Sequence, residues 1–511
     1  MKLNNLHLIL GGPGCGKTTR LLNIMEEEIN NGVHPSEIAF LAFTRAAANE
    51  AATRAATRFG LNPEEDLPWF RTIHSLVYRR LGITRDEIMG ARDWEEFSQV
   101  IGESLGPPDA NVEDLGIIHE RHKGSTMLRI VDYSATTMQS LSDTYHDLRE
   151  PVDYHELKRF DQAYTQYKVD SAKMDFTDML LFFIREGEPI PVRVGIIDEA
   201  QDLTRSQWAA AEVALSGAER VYVGGDDDQA IYRWAGADIE TFLSLSDHGT
   251  AEVLPISHRL PEIIHDLSQG ITRRISSRYR KQFDHSSREG VLEYYWELDH
   301  IADTIINSTG SWMLLARNRY ATRKMEDFVQ YLGLPYRTRT GSAISEEHVR
   351  LINLWNKVRH SFGDPEESFS AQEFRDVCAA SMAMIPTLRE TEQYPVSQVR
   401  SWITERVSSQ PWEQAFRWMH PVQRDYYSTL IRRKQSLTDT PRITIETIHG
   451  VKGAEADHVL LLPDMSSRTY QSYTKEPDHE HRVFYVGATR ARESLHLISP
   501  HTQRYYPLIS S

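Results

Sequence analysis

Short apolar runs recur along the first half of the chain, and each ends in glycine or polar residues. Residues 6–10, 38–43, 192–197 and 221–223 are almost continuously apolar, which is typical of strands buried on both faces of a parallel sheet. The segment after the first run, residues 18–28, instead places its apolar residues at helical spacing. Strands that alternate with helices predict an α/β fold with a parallel sheet.

A second series of strand-like runs follows in the second half of the chain, again with helical patterns between the runs. This series predicts a second α/β sheet. The runs lie at residues 291–296, 312–316, 443–447, 459–462 and 495–498, and the last strand of the first series is expected at residues 253–256. Between about residues 345 and 442 the strand signal disappears, and helical segments that carry tryptophan replace it. This segment is therefore expected to be an insertion.

The loop after the first run carries the strongest chemical signal. Gly11-Gly12-Pro13-Gly14-Cys15-Gly16-Lys17-Thr18 is a G-x-x-x-x-G-K-T sequence between a predicted strand and a predicted helix. Such a loop turns backbone N–H groups toward a phosphate, and its lysine adds a cation. Thr18 is the natural hydroxyl ligand for Mg²⁺. The alternative is an ordinary glycine-rich turn, but strand, loop and helix together favour a nucleoside triphosphate site.

Two acidic residues follow the strand predicted at residues 192–197. Asp198 would hold Mg²⁺ through water, and Glu199 would polarise the attacking water. The alternative is a solvated acidic turn, which the presence of the phosphate loop disfavours. The two motifs are far apart in sequence, and residues 84–163, which are charged and helical in pattern, are the candidate for an inserted subdomain.

Polar and aromatic residues also follow the other strands of the first series. Thr44-Arg45 follows the run at residues 38–43, at the sheet edge where open α/β sheets bind ligands. Residues 69–75, which include Thr72 and His74, repeat this arrangement before the next predicted helix. Asp226-Asp227-Asp228-Gln229 follows another strand and leads into Tyr232 and Trp234. These two rings could stack on nucleic-acid bases or be core aromatics, which is the commoner fate of tryptophan.

Composition limits these possibilities further. The 511 residues suggest three or four domains, and 40% hydrophobic with 25% charged content is that of an ordinary globular protein. No apolar run is long enough for a membrane span, no signal-peptide pattern is seen, and two cysteines make no disulfide framework. We therefore expect a cytoplasmic protein without a membrane partner.

The net charge of −16 argues against a protein that coats nucleic acid nonspecifically. It allows a nucleic-acid enzyme whose basic residues are confined to one channel. The densest basic cluster is formed by Arg273, Arg274, Arg278, Arg280 and Lys281. It is interpreted either as a solvated helix face or as a phosphate contact.

Nine motifs in order carry a family resemblance. The chain resembles the superfamily 1 DNA helicases of the UvrD, Rep and PcrA type. The motifs are GGPGCGKTT, FTRAAANEAA, RTIHSL, MDFTDMLL, IIDEAQD, GGDDDQAIYRWAGA, SHR, TIHGVKGAEADHV and FYVGATRAR. The resemblance runs from the first strand to about residue 498 and leaves only the two insertions without motifs.

This resemblance implies two RecA-like phosphate-loop domains with parallel sheets, each carrying a mainly helical insertion. The implied boundaries are residues 1–83 and 164–262 for the first RecA-like domain, 84–163 for its insertion, 263–344 and 443–511 for the second RecA-like domain, and 345–442 for a second, short insertion.

The resemblance also implies roles for individual residues, with ATP and Mg²⁺ as cofactors. Gln229 would link the γ-phosphate to DNA, Arg259 and Arg490 would be arginine fingers, and Glu455 would contact the ribose. The implied catalytic residues are Lys17, Glu199, Gln229, Arg259 and Arg490, with Thr18 and Asp198 as metal ligands. The implied nucleotide contacts are Gly12, Pro13, Gly14, Cys15, Gly16, Lys17, Thr18, Thr19, Arg20, His258 and Glu455. The implied DNA contacts are Phe43, Thr44, Arg45, Thr72, His74, Tyr232, Trp234, Thr447 and His449.

The chain departs from the family pattern at several points. His258 stands where the family usually has tyrosine, Ala235 replaces a common arginine, and Thr19 stands where many relatives have an arginine beside the adenine. The second insertion is also shorter than the family's subdomain that contacts duplex DNA.

The function expected from the resemblance is that of an ATP-driven motor that moves 3′ to 5′ on single-stranded DNA and unwinds duplex during replication, recombination or repair. Its partners would be single-stranded DNA, single/double-strand junctions and replication or repair proteins, and the chain would act as a monomer or weak oligomer. The alternative is a nucleotide-switched DNA-binding accessory ATPase without productive unwinding.

Overall fold

A computed structural model describes residues 3–105, 123–360, 367–403 and 405–508. The chain forms two compact units. The first contains Met1–Gly290 with Gln471–Thr489, and the second contains Val291–Tyr470 with Arg490–Ser511. The segment Gln471–Thr489 thus belongs to the first unit, whereas the boundaries implied by the sequence place residues 443–511 in the second domain.

The first unit is built on a six-stranded parallel sheet. Its strands are β1 (Leu6–Leu10), β2 (Ile38–Ala42), β3 (Phe70–Thr72), β4 (Val194–Ile197), β5 (Arg220–Gly225) and β6 (Thr250–Val253), in the order β3-β2-β4-β5-β1-β6. Every residue of β2 and β4 is buried, which explains why these strands read as unbroken apolar runs. Because the strands are parallel, the turns after β1, β4 and β5 lie at one edge of the sheet.

Helices connect these strands, and further helices separate β3 from β4. The α-helices of this unit are Lys17–Asn30, Arg45–Phe59, Ile73–Leu81, Ala91–Ile101, Lys123–Thr137, Leu141–Leu148, Tyr154–Asp170, Phe176–Glu186, Arg205–Leu215, Ile239–Ser244, Glu262–Thr272 and Pro477–Ala488. Between residues 84 and 163 the described part of the chain has a core of its own, which includes Phe97, Leu157 and Phe160.

The second unit is built on a seven-stranded sheet. Its strands are β7 (Val291–Tyr295), β8 (Trp312–Ala316), β9 (Tyr336–Thr338), β10 (Gly341–Ser342), β13 (Ile443–Thr447), β14 (Ala456–Leu462) and β15 (Ala491–Ile498), in the order β10-β9-β13-β8-β14-β15-β7. All neighbouring pairs are parallel except β9 and β10. The predicted α/β class with two parallel sheets is therefore confirmed.

The helices of the second unit lie largely between β10 and β13. They are Ala302–Asn307, Arg319–Tyr331, Glu346–His360, Ala371–Ala380, Val396–Ile403, Glu405–Ser408, Trp412–Ala415 and Pro421–Arg432, and Ser467–Lys475 begins in this unit and ends in the first. A single hydrophobic core contains both Trp312 of the sheet and Trp355 of the helix Glu346–His360.

Two strand predictions need correction. The strand expected at residues 253–256 lies at Thr250–Val253, because its hydrogen bonds to β1 run from His7 to Leu10. Residues 345–442 are predicted to be free of strands, yet β11 (Ser368–Ser370) and β12 (Gln393–Pro395) form an antiparallel pair there. Strands of three residues have too short a pattern to be recognised in a sequence.

Within the described residues, no helix combines the length and apolar character needed to cross a membrane.

Candidate functional site

The phosphate loop connects β1 to the helix Lys17–Asn30. Gly14 and Gly16 have positive φ angles of 72° and 80°, which glycine adopts without the steric cost that a side chain would impose. The Nζ atom of Lys17 donates hydrogen bonds to the carbonyls of Gly11, at 3.1 Å, and Gly12, at 3.4 Å. The lysine is thus folded back over its own loop, at the positive end of the helix.

The segment after β6 packs directly on this loop. Ser257 donates a 2.6 Å hydrogen bond from its hydroxyl to the carbonyl of Pro13, and the N–H of His258 donates to the carbonyl of Gly14 at 2.9 Å. A methyl group at Gly14 would lie 2.3 Å from the Cβ atom of Arg259. The sequence-predicted residues His258 and Arg259 therefore lie beside the phosphate loop.

Three other predicted nucleotide contacts have defined surroundings. Burial raises the pKa of the Cys15 thiol to about 11, although the charge of Lys17 opposes the shift. Thr19 accepts a 3.0 Å hydrogen bond from Arg54. Arg20 pairs with Glu252 at 3.0 Å and with Glu27 at 2.7 Å. Cys15 is thus a neutral thiol, and the Arg20 side chain is held by carboxylates.

The first acidic turn, residues 198–202 after β4, meets the start of the helix Lys17–Asn30. The hydroxyl of Thr18 donates a 2.6 Å hydrogen bond to Oδ2 of Asp198. Burial, and then the negative charge of Glu199, raises the pKa of the Asp198 carboxyl to about 6. A hydroxyl and a buried carboxylate are oxygen ligands of the kind that Mg²⁺ takes, so these two residues fit the metal that the motifs predict.

Glu199 has a left-handed backbone conformation, with φ of 52°. Such a conformation costs free energy for a residue with a side chain, and it is concentrated at functional sites. The Nε2 atom of Gln201 donates a 2.6 Å hydrogen bond to the Glu199 carboxylate. The residue predicted to polarise the attacking water is therefore held by a side chain two residues further along the same turn.

The second acidic turn, residues 226–229 after β5, is linked to the first. The N–H of Asp226 donates a 2.9 Å hydrogen bond to Oε1 of Gln201, and Nε2 of Gln229 donates to Oδ2 of Asp226 at 2.7 Å. Gly225 makes room for this link, since a methyl group there would lie 2.7 Å from Oε1 of Gln201. The structure thus brings Glu199 and Gln229 into one hydrogen-bonded network.

Two cations neutralise the second acidic turn. The carboxylates of Asp226, Asp227 and Asp228 lie close enough together to hold a metal ion, but the Nζ atom of Lys281 contacts all three. Arg278 also binds Asp228 through two hydrogen bonds, of 2.7 and 2.5 Å. Because the ammonium group takes the position between the carboxylates, this cluster is an ion-pair network.

For Arg278 and Lys281, neither interpretation of the basic cluster was correct. Both residues follow the end of the helix Glu262–Thr272, and their charged groups face buried carboxylates.

The predicted DNA-contacting aromatic residues Phe43, Tyr232 and Trp234 contact one another in series, and this set is called the aromatic ladder. The rings of Phe43 and Tyr232 stack with centroids 5.6 Å apart at 19°, and the ring of Trp234 meets Tyr232 edge-on at 6.5 Å. Tyr232 is only 8% exposed, whereas Trp234 is 38% exposed. Trp234 is therefore the ring of the three that is most available for a base to stack on.

The predicted polar DNA contacts of the first unit lie at helix starts. The side chains of Thr44 and Thr72 cap the helices Arg45–Phe59 and Ile73–Leu81, and Arg45 is exposed. His74 lies 3.5 Å from Gln207 and edge-on to Phe176. Burial, and then the charge of Arg45, lowers the pKa of His74 to about 4, so the ring is neutral at neutral pH.

Four predicted site residues belong to the second unit. Thr447 ends β13, its hydroxyl accepts a 3.3 Å hydrogen bond from the N–H of Gly450, and the partly buried His449 begins the next turn. Arg490 is buried, and its Nη1 atom donates to the carbonyl of Ala454 at 3.2 Å. Glu455 is exposed and pairs with Arg492 at 3.4 Å. Glu455 and Arg490 thus lie close together where β14 and β15 begin.

Four residues that shape this site are not among the predicted site residues, namely Gln201, Ser257, Arg278 and Lys281. A run of three aspartates after a buried strand was a usable signal, because buried carboxylates need cationic partners. The sequence does not reveal which of the chain's cations supply this charge.

Two family models match the chain. Residues 1–249 match the UvrD/REP helicase N-terminal domain, and residues 427–502 match the UvrD-like helicase C-terminal domain.

Individual proteins are also similar to the chain. The ATP-dependent DNA helicase PcrA of Bacillus subtilis is 26% identical over 73% of this chain and 50% of its own length. The protein of the same name from Staphylococcus aureus Mu50 is 23% identical over 68% of this chain and 48% of its own length. The chain thus spans about half the length of these PcrA relatives. A probable DNA helicase II homolog of Rickettsia conorii is 22% identical over 99% of this chain and 92% of its own length.

Proposed function

Because the chain belongs to the superfamily 1 helicases of the UvrD, Rep and PcrA type, we propose that it is an ATP-dependent DNA helicase. We further propose that it moves 3′ to 5′ on single-stranded DNA and unwinds duplex at single/double-strand junctions during replication, recombination or repair. In this proposal the two sheet-bearing units are RecA-like domains, and the helical segments at residues 84–163 and 345–442 are their insertions.

The observation that carries the proposal is the 2.6 Å hydrogen bond between Thr18 and Asp198, with Glu199 as the next residue. It supports a site in which the loop N–H groups and Lys17 bind phosphates. Thr18 and Asp198 would hold Mg²⁺, which when bound neutralises charge on the phosphate oxygens. Glu199 would accept the proton of the attacking water.

Positive charge for the transferring phosphoryl group would come from Arg259 and Arg490. The support for Arg259 is its position against Gly14 of the phosphate loop. An arginine finger contributes about 10³–10⁵ in rate. We therefore expect Arg490→Ala to retain ATP binding and to lose most of its turnover. Near-normal turnover in this variant would contradict the assignment.

DNA would bind where the aromatic ladder lies, beside the polar residues at the helix starts. The support is the exposed ring of Trp234, which meets the ring of Tyr232 edge-on. A base that stacks on such a ring contributes about 1–3 kcal/mol. Gln229 is the residue proposed to link the γ-phosphate to the strand, because it connects the turn that leads to Tyr232 with the network that holds Glu199.

The test is steady-state ATP hydrolysis with and without single-stranded DNA, followed by strand displacement from duplexes with a 3′ or a 5′ tail. Strong stimulation and displacement from the 3′ tail only would support the motor and its direction. Stimulation without displacement would instead favour the accessory ATPase. No response to DNA would contradict the DNA-binding part of the proposal.

A pair of tryptophan variants tests the proposed DNA contact. Trp234→Ala should lower DNA-stimulated hydrolysis more than basal hydrolysis, because it removes a stacking surface. Trp296→Ala is the matched control, since Trp296 is 76% exposed and lies outside the proposed DNA contacts. An equal loss of both rates in Trp234→Ala would make Trp234 a structural residue.

A further inference from the structure

Lys281 is a fully buried cation placed among three consecutive carboxylates. Its Nζ atom lies 3.0 Å from Oδ1 of Asp226 and 3.0 Å from Oδ2 of Asp228, and it also contacts Asp227. The side chains of the lysine and the three aspartates are all inaccessible to solvent. A buried charge is costly unless it is paired and hydrogen-bonded, so the lysine and the second acidic turn depend on each other.

The carboxylate of Asp226 lies between Lys281 and Gln229. Oδ1 of Asp226 faces the ammonium group, and Oδ2 accepts the 2.7 Å hydrogen bond from the Gln229 side-chain amide. Burial opposes ionisation of Asp226, but the charges of Lys281 and Lys17 more than offset this, and the pKa of Asp226 is lowered. Asp226 is thus a fixed anionic acceptor for the Gln229 amide.

Other hydrogen bonds also hold the same turn. The N–H of Tyr279 donates to Oδ2 of Asp227 at 2.8 Å, and Nε of Arg482 donates to the Asp227 carbonyl at 2.9 Å. The residues around Lys281 and the helix Pro477–Ala488 therefore fasten this turn together. The lysine supplies the bond that reaches the acceptor of Gln229.

We propose that Lys281 is a positioning residue for DNA-coupled ATP hydrolysis, acting through Asp226 to hold the Gln229 side chain in its working orientation. This inference rests on the proposed function, in which Gln229 connects the nucleotide to the bound strand. Glu199 is connected to this turn by two other bonds: the backbone N–H of Asp226 donates to Gln201, and the Gln201 amide donates to Glu199. Neither bond uses the Asp226 carboxylate that Lys281 contacts. Loss of Lys281 therefore affects DNA-stimulated hydrolysis more than basal hydrolysis.

The test is a double-mutant cycle between Lys281→Met and Gln229→Ala, read out as kcat with saturating single-stranded DNA, kcat without DNA and the KM for ATP. We expect Lys281→Met to lower the stimulated kcat by about 10- to 100-fold, the effect of a small misplacement of a catalytic group. The KM for ATP should change by less than about twofold, because Lys281 acts on a transition-state interaction.

In the Gln229→Ala background, the same Lys281→Met change should have little further effect, because its target is already gone. Additive losses in the cycle, or an equal fall of basal and stimulated rates, would overturn the inference. If the wild-type protein is not stimulated by DNA, the proposed function fails instead. Stimulation with an additive cycle leaves that function standing and removes only the role of Lys281.

A charge-balanced variant separates positioning from folding. Lys281→Met combined with Asp227→Asn removes one positive and one negative charge, so it should fold even if the single variant does not. We expect this double variant to show the same loss of stimulation. Restored stimulation would mean that Lys281 only balances charge, and would overturn the inference. Lys158→Met, at an exposed lysine of the same unit, is the matched control.

Discussion

The first and second acidic turns follow neighbouring strands of the same sheet, but the pKa of the first aspartate shifts in opposite directions in the two turns. Asp198 in the first turn lies beside the hydroxyl of Thr18, and its pKa is raised to about 6, chiefly by burial. Asp226 in the second turn pairs with Lys281, and its pKa is lowered although burial opposes this. Two acidic turns at the same sheet edge therefore differ in the groups that balance their negative charge.

The two turns differ in the source of the positive charge that balances their carboxylates. The second turn receives it from within the chain, through Lys281 and Arg278, so it is complete without a ligand. The first turn keeps a carboxylate and a hydroxyl together, and these are ligands suited to Mg²⁺. Acidic residues at the end of a strand thus do not by themselves indicate a metal site, because a cation of the chain can occupy the position between them.

The largest expected effect comes from removing the built-in cation. Lys281→Met leaves three buried carboxylates without their central partner, which costs about 3–5 kcal/mol when one side of a buried pair is lost. The free energy of unfolding from urea titration measures this loss. Lys158→Met should stay within about 0.5 kcal/mol of the wild type. A stable Lys281→Met protein would show that the two turns do not differ in this way.

Asp198→Asn in the first turn should have the reverse profile. Turnover should fall about 100-fold or more, because an amide is a poor ligand for the metal that stabilises several kcal/mol of transition-state charge. The free energy of unfolding at neutral pH should hold or rise, because a buried carboxylate with a raised pKa has been replaced by a neutral group. Active turnover in this variant would argue that Asp198 holds no metal.

Gly225→Ala tests the bridge between the two turns. Its methyl group would lie 2.7 Å from Oε1 of Gln201 and 2.6 Å from the ring of Phe242. We expect a loss of about 1–3 kcal/mol in the free energy of unfolding, as for other overpacked cores, together with a loss of turnover as Gln201 is displaced from Glu199. The matched control is Gly270→Ala in a helix, where a methyl group meets nothing within 4 Å. This control should gain up to about 1 kcal/mol.

The smallest effect concerns pH, next to the second turn. His481 precedes Arg482, and burial, followed by the charge of Arg274, lowers the pKa of His481 to about 4. In the unfolded chain the His481 imidazole takes up a proton at a pKa of about 6.5. The free energy of unfolding is therefore unaffected by His481 above pH 6.5 and falls as pH is lowered from 6.5 to 4.

The wild type should therefore lose about 1 kcal/mol of stability relative to His481→Phe between pH 7.5 and pH 5.5. Thermal or urea unfolding at the two pH values measures the difference, and exposed His155→Phe serves as the control. Identical pH dependence in the wild type and His481→Phe would mean that His481 titrates normally in the folded protein.

Part of the fold and of the candidate site can be predicted from the sequence. The apolar runs predicted most sheet strands, and the phosphate loop, Asp198 and Glu199 were found from local order alone. β9 to β12 were missed because strands of two or three residues carry too little pattern. The role of Lys281 was missed because its partners lie far away in the sequence.

Local spacing by itself determined the α/β class, the phosphate loop and the family, since a loop that binds phosphate and a buried parallel strand are each encoded within a few consecutive residues. The tertiary structure alone decided that cations of the chain neutralise the carboxylates of the second turn. The physical reason is that the charge state of a buried acid depends on the nearest cation in space. For the second turn this cation is Lys281, brought to Asp226 by the fold.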